Sequence, residues 1–116
     1  MALDARRLRG NWNFPTAIWF GTGKIGLLVR ACRIAGMRRP LIVTDPGLAQ
    51  LPMIAEAVES LTKDGLAPAL FSAIRANPVG ANVADGVAAL KAHGADGVVT
   101  FGGGSAMDAG KAVALA

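Results

Sequence analysis

Val99-Thr-Phe-Gly-Gly-Gly-Ser-Ala-Met-Asp-Ala-Gly-Lys111 is the stretch on which the reading of this chain turns. It opens in the apolar run Gly97-Val-Val-Thr-Phe101, which has the pattern of a buried strand, and a helix is expected to begin near Ala106. Between the two, three consecutive glycines remove every Cβ from the turn. A pyrophosphate can then approach the backbone and meet N–H groups and the positive end of a helix. Ser105 can cap that helix or donate to phosphate, and Asp108, three residues later, completes an S-x-x-D capping pattern. An ordinary capped turn would account for Ser105 and Asp108 through backbone bonds alone, but it seldom needs all three glycines. Lys111 can neutralise phosphate or lie on an exposed helix face.

Outward from this stretch, short apolar runs alternate with segments of helical period, the pattern of βαβ units and a mostly parallel sheet. The candidate strands are Ala17–Phe20, Leu41–Thr44, Ala69–Phe71 and Gly97–Phe101. Between the first two, Ile25, Leu28, Val29 and Cys32 share one helix face, and Ile54, Ala57, Val58 and Leu61 repeat that spacing in a helix ending near Asp64-Gly65. Val83, Val87 and Leu90 mark a further helix that Gly94 should terminate. The expected fold is therefore α/β, a Rossmann-like, mostly parallel sheet with flanking helices. The triple-glycine turn should stand at the C-terminal end of a central strand, where doubly wound folds bind nucleotides.

A second glycine pattern competes. Gly21-Thr-Gly23-Lys-Ile-Gly26 spells G-x-G-x-x-G after a candidate strand, with Asp45 about 20 residues further on, as a dinucleotide fingerprint requires. A tight strand-to-helix turn would produce the same spelling. Asp45 ends a strand under either reading. Its carboxylate can accept hydrogen bonds from ribose hydroxyls and repel a 2′-phosphate, favouring NAD over NADP, or it can serve the turn Asp45-Pro46-Gly47. Asn77, before Pro78, is held extended and can cap the chain or bond a ligand. His93, beside Gly94, is explained by a helix C-terminus, and a lone histidine is poor evidence for a metal. Trp12 and Trp19 read as packing residues.

Composition narrows the function classes. The chain has 116 residues, enough for one core, and 53% of them are hydrophobic without a run long enough to span a membrane. Arg6, Arg7 and Arg9 are not followed by the apolar stretch of a signal peptide, so a cytoplasmic location is expected. The net charge of +4 is spread over scattered arginines, there is no tyrosine, and aromatics make up 5%, which argues against a nucleic-acid surface. Cys32 stands alone, so it can form neither an intrachain disulfide nor a cysteine metal site, and it reads as a small core side chain.

The ordered set Phe20-Gly-Thr-Gly23, Leu41-Ile-Val-Thr-Asp45-Pro-Gly-Leu48, Asn77-Pro78 and Gly102-Gly-Gly-Ser-Ala-Met-Asp108-Ala-Gly-Lys111 resembles the start of the iron-containing (group III) alcohol dehydrogenases. Glycerol dehydrogenases and dehydroquinate synthases share that architecture. The resemblance implies a two-domain NAD(P)-dependent oxidoreductase in which residues 14–116 begin the dinucleotide-binding domain after an N-terminal extension, 1–13. It implies that Gly103, Gly104 and Ser105 hold pyrophosphate, that Asp45 meets the adenosine ribose, that Asn77 lines the cofactor cleft and that Asp108 stands at its edge. Gly21 to Gly26 then becomes a conformational turn. Iron or another divalent metal would be held by an all-helical domain beyond Ala116, and the substrate would be a small alcohol or aldehyde. A homo-oligomer is compatible with this reading. The alternative expectation is a nucleotide-binding module without chemistry of its own.

Overall fold

The computed structural model describes residues 21–74 and 80–115. The expected strand Ala17–Phe20, both tryptophans and Asn77 lie outside the described residues. Three parallel strands form the sheet: β1 (Pro40–Thr44), β2 (Ala69–Phe71) and β3 (Gly97–Phe101), in the order β2-β1-β3. α1 (Leu28–Ile34), which continues a 3-10 turn over Lys24–Leu27, precedes β1; α2 (Pro46–Ala49) and α3 (Pro52–Lys63) connect β1 to β2, α4 (Gly80–His93) connects β2 to β3, as parallel pairing requires, and α5 (Gly104–Leu115) follows β3.

Every residue of β1 is buried, because the strand has a neighbour on each edge and helices on each face. This explains its unbroken apolar spelling. Leu41 and Val43 pack with Ala109 and Val113 of α5 and with Val83, Val87 and Leu90 of α4. Ile42 points the other way and packs with Leu61 of α3 and Cys32 of α1. The alternation along one strand thus divides the core into two layers, with α1 and α3 on one face and α4 and α5 on the other. The expected faces Ile54/Ala57/Leu61 and Val83/Val87/Leu90 are the packed ones. Gly65 and Gly94, at φ +87° and +66°, follow α3 and α4 as anticipated. Ile25 does not join its expected face. It is 48% exposed, because residues 24–27 form a 3-10 turn and the helical phase is set only from Leu28.

Among the described residues β3 pairs with β1, and the glycine turn follows its C-terminal end. α5 approaches β3 closely. A Cβ at Gly110 would overlap Thr100 Cγ2, and one at Gly86 of α4 would lie 2.6 Å from Val113 Cγ2.

The starts of the strands are tied by polar contacts. Asp96 accepts hydrogen bonds from the amides of Arg38 and Arg39 at 2.7 and 2.8 Å, and the Ala67 amide donates to Arg38 O at 2.8 Å. The Arg39 guanidinium donates to His93 O at 3.0 and 2.7 Å, and His93 Nε2 lies 2.6 Å from Ala67 O. A carbonyl only accepts, so Nε2 carries the proton. The lone histidine is therefore a link between α4 and the entry to β2, a role that helix-dipole reasoning did not foresee. The Arg38 and Arg39 amides hold the Asp96 carboxyl below its ordinary range, and burial pushes the Cys32 thiol up, with Asp96 adding to the effect. No helix among the described residues is long and apolar enough to cross a membrane.

Two outcomes follow from this packing. Gly110→Ala should cost about 1–3 kcal/mol by overpacking, read by urea denaturation, and Thr100→Ser, which removes the opposing methyl, should recover a good part of it. Asp96 is favoured as the anion in the folded state, so its contribution is fully present above the unfolded carboxylate range near 4 and fades as pH falls below that. Asp96→Ala should therefore lower the urea midpoint at pH 7, and the gap to wild type should narrow as the pH is taken below about 4. A gap independent of pH would show that the carboxylate's charge is not what the two amides recognise.

Candidate functional site

At the C-terminal ends of β1 and β3 the chain leaves toward opposite faces, into α2 and α3 after β1 and into α5 after β3. Adjacent parallel strands whose connections diverge in this way open a crevice at the sheet's switch point. A cleft of about 390 Å³ occupies that place, lined by Asp45 and Pro46 from one connection, Gly103, Gly104 and Ser105 from the other, and Ile74 after β2.

Asp45 is fixed by its own local structure. Its extended backbone makes it the N-cap of α2, Oδ1 accepts from the Leu48 amide at 2.8 Å, and Pro46 stands at the start of the helix. This one-turn helix was not anticipated beyond a turn at Asp45-Pro46-Gly47. The cap uses one oxygen. The other, Oδ2, faces the glycine turn, where it would lie 3.4 Å from a Cβ on Gly102. The capping and ligand roles weighed for this carboxylate thus fall on different oxygens.

The three glycines are not equivalent. Gly102 has φ +134°, and a Cβ there would stand 3.1 Å from both Ala106 Cβ and Leu48 Cδ1. The fold itself demands glycine at this position. Gly103 and Gly104 have no positive φ, and a Cβ on either would meet nothing within 4 Å among the described residues. Space is therefore left open on the side where they line the cleft. Gly103 O accepts from the Met107 amide at 3.1 Å, which makes Gly103 the N-cap of α5 and places Ser105 inside its first turn. The expected Ser105–Asp108 capping box is thereby corrected, since helix geometry starts two residues earlier than near Ala106. Ser105 lines the cleft, whereas Asp108 is exposed one turn further along α5 and does not.

The rival glycine pattern stands elsewhere. Gly21 and Gly23 take positive φ in a tight turn, and a Cβ at Gly26 would meet nothing within 4 Å among the described residues. A larger groove of about 460 Å³ lies between this segment and β3, but its lining is apolar except for Lys24 and Thr100. The cleft at Asp45, with its carboxylate, helix N-terminus and open glycines, offers the more specific chemistry. Among the described residues no three His, Cys, Asp or Glu side chains converge as a metal site.

Two residues escaped sequence reasoning. Ile74 lines the cleft through a loop whose position depends on Asn82 Nδ2 donating to Ala73 O at 3.1 Å, a contact no spacing rule shows. Thr44, fully buried, donates from Oγ1 to Phe101 O at 2.9 Å; its only signal is a hydroxyl at the end of an otherwise apolar strand.

This geometry defines a doubly wound α/β protein with an anion-compatible crevice at its switch point. The family model of the iron-containing alcohol dehydrogenases matches residues 15–116, and the chain belongs to that family. It is 34% identical over 97 residues to lactaldehyde reductase of Escherichia coli K12, covering 84% of this chain and 25% of that protein. It is 33% identical to 1,3-propanediol dehydrogenase of Klebsiella pneumoniae, covering 88% and 27%. The solved structure of NADH-dependent butanol dehydrogenase A from Thermotoga maritima superposes with a TM-score of 0.78 at 33% identity, over 85% of this chain and 25% of that one. The chain thus spans about a quarter of the length of these relatives.

The unequal roles of the glycines are separable by experiment. Gly102→Ala should destabilise the fold by about 1–3 kcal/mol, the cost of a side chain in a glycine-only backbone region. Gly104→Ala should be neutral or stabilise by up to about 1 kcal/mol through the unfolded chain. Urea melts of the two variants, followed by circular dichroism, check the contrast.

Proposed function

We propose that this chain supplies the NAD-binding part of an oxidoreductase that interconverts small alcohols with aldehydes or ketones. The observation that carries the reading is the pair Gly103 and Gly104. Nothing among the described residues requires glycine at either position, and both open onto a cleft that holds a carboxylate and a helix N-terminus. Chain conformation explains Gly102, but a ligand that must touch backbone explains its two neighbours. A pyrophosphate seated there would meet the first amides of α5, whose dipole favours negative charge.

Asp45 Oδ2, across the cleft, is set to accept hydrogen bonds from adjacent ribose hydroxyls and to repel a 2′-phosphate, which favours NAD over NADP. Ser105 belongs to the pyrophosphate side and Asp108 to the outer edge of the site, and the family resemblance adds Asn77 as a cofactor contact. The cofactor's chemistry is hydride transfer, and the residues of this chain bind and orient it. The names of the relatives, a lactaldehyde reductase, a propanediol dehydrogenase and an NADH-dependent butanol dehydrogenase, support both the substrate class and the cofactor. Iron belongs to the same reading through the family, with ligands from outside the residues described. The reading includes a cytoplasmic location, consistent with a single buried thiol, and leaves a homo-oligomer open.

Titration of the isotope-labelled chain with millimolar NAD, followed by amide resonances, tests this. Shifts should cluster at Gly103, Gly104, Ser105 and Asp45, and Gly104→Val should abolish them while leaving the protein folded. Asp45→Gly should erase the preference for NAD over NADP. Shifts confined to Gly21–Gly26 would move the site to the other glycine motif and end the assignment.

A further inference from the structure

We propose that Thr44 is a positioning residue for the nucleotide site, its hydroxyl setting the direction of the first amide in the glycine turn. The inference rests on the cofactor reading above for its purpose, although its geometry does not. Thr44 is the last residue of β1, pairs with Phe101 at the last rung of the β1–β3 ladder, and is 0% exposed. A hydroxyl buried that completely is costly without a partner, and valine would fill the same strand position without that cost. Its partner is specific: Oγ1 donates to Phe101 O at 2.9 Å.

That carbonyl belongs to the same planar peptide unit as the Gly102 N–H, so fixing the oxygen fixes the direction of the amide. The next residue on each strand is a site residue or its hinge. Asp45 follows Thr44, and Gly102, at φ +134°, follows Phe101. Past this rung the strands have no further pairing, and their connections leave for opposite faces. The Thr44 hydroxyl is therefore the last tie across the mouth of the crevice, and it holds the Asp45 carboxylate and the Gly102–Ser105 turn at one separation.

The test compares Thr44→Val, which removes the hydroxyl at nearly constant shape, with Thr44→Ser, which keeps it. Thermal midpoints, amide shifts in the absence of ligand and NAD affinity are read for both. Thr44→Val should remain folded, move the Gly102, Gly103 and Gly104 amide resonances, and weaken NAD binding about 5- to 10-fold, the scale of one hydrogen bond. Thr44→Ser should restore both readouts to near wild type, which a role in packing alone would not do. Equal NAD affinity in wild type and Thr44→Val, or a serine variant as impaired as the valine one, overturns the proposal. If wild type binds no NAD, the cofactor reading fails by itself, and the ligand-free glycine resonances decide the positioning claim: moved by valine and restored by serine they uphold it, unmoved they end it. Should Thr44→Val not fold, the wild-type Thr44 hydroxyl proton is measured directly. Slow exchange with solvent supports the bond to Phe101, and rapid exchange refutes it.

Discussion

The parallel register of β1 against β3 is the constraint from which the rest of the molecule is built. With Pro40 opposite Gly97 and Thr44 opposite Phe101, the two strands end on the same rung. Their connections then depart from one level toward opposite faces. If the pairing slipped by one residue, the side chains of β3 would exchange faces: Val99 and Phe101 would leave the layer shared with α1 and α3, and Thr100 would leave the surface against which Gly110 is fitted. The crevice would lose its shape in the same step, because Asp45 and Gly102 would no longer stand beside one another.

Polar groups divide between the two ends of the sheet according to different demands. At the starts of the strands Asp96, Arg39 and His93 are consumed in bonds to backbone amides and carbonyls, so their chemistry goes into holding the strand entries together. At the opposite end Asp45 spends one oxygen on the α2 cap and keeps the other toward the cleft. Charge at one end is locked into structure, and at the other it remains available to a ligand. Among the described residues no buried side-chain nitrogen or oxygen lacks a hydrogen-bond partner, so the cleft's unused polarity lies at its surface and costs the core nothing.

Glycine serves three separate purposes within a few residues. Gly102 satisfies backbone conformation and crowding, Gly110 allows a helix to lie against a strand, and Gly103 and Gly104 leave open space at the cleft. All four belong to one continuous motif, which reads as a single signature in sequence. Its small residues therefore cannot all be assigned to ligand contact: Gly110, inside the same signature, is a packing residue.

The sequence by itself determined the α/β class, the three described strands nearly to the residue, the helix faces in α3 and α4, and the family. Periodicity and glycine placement are local properties, and burial on both faces leaves an unbroken apolar run that can be read directly at Leu41–Thr44. Asp45, Gly103, Gly104 and Ser105 were also legible as candidates, because strand ends and glycine turns announce themselves in the chain. Residue pattern left Asp45 between two glycine motifs and the family resemblance paired it with the triple-glycine turn; tertiary structure shows those two lining one cleft, leaves Asp108 outside it, moves the cap of α5 from Ser105 to Gly103, and gives Ile74 and Thr44 their places. Those outcomes depend on strand order and on contacts between residues far apart in sequence, such as the 57-residue separation of Thr44 and Phe101. Local pattern carries no information about such pairs, because the energy that selects them exists only once both faces of the sheet are covered.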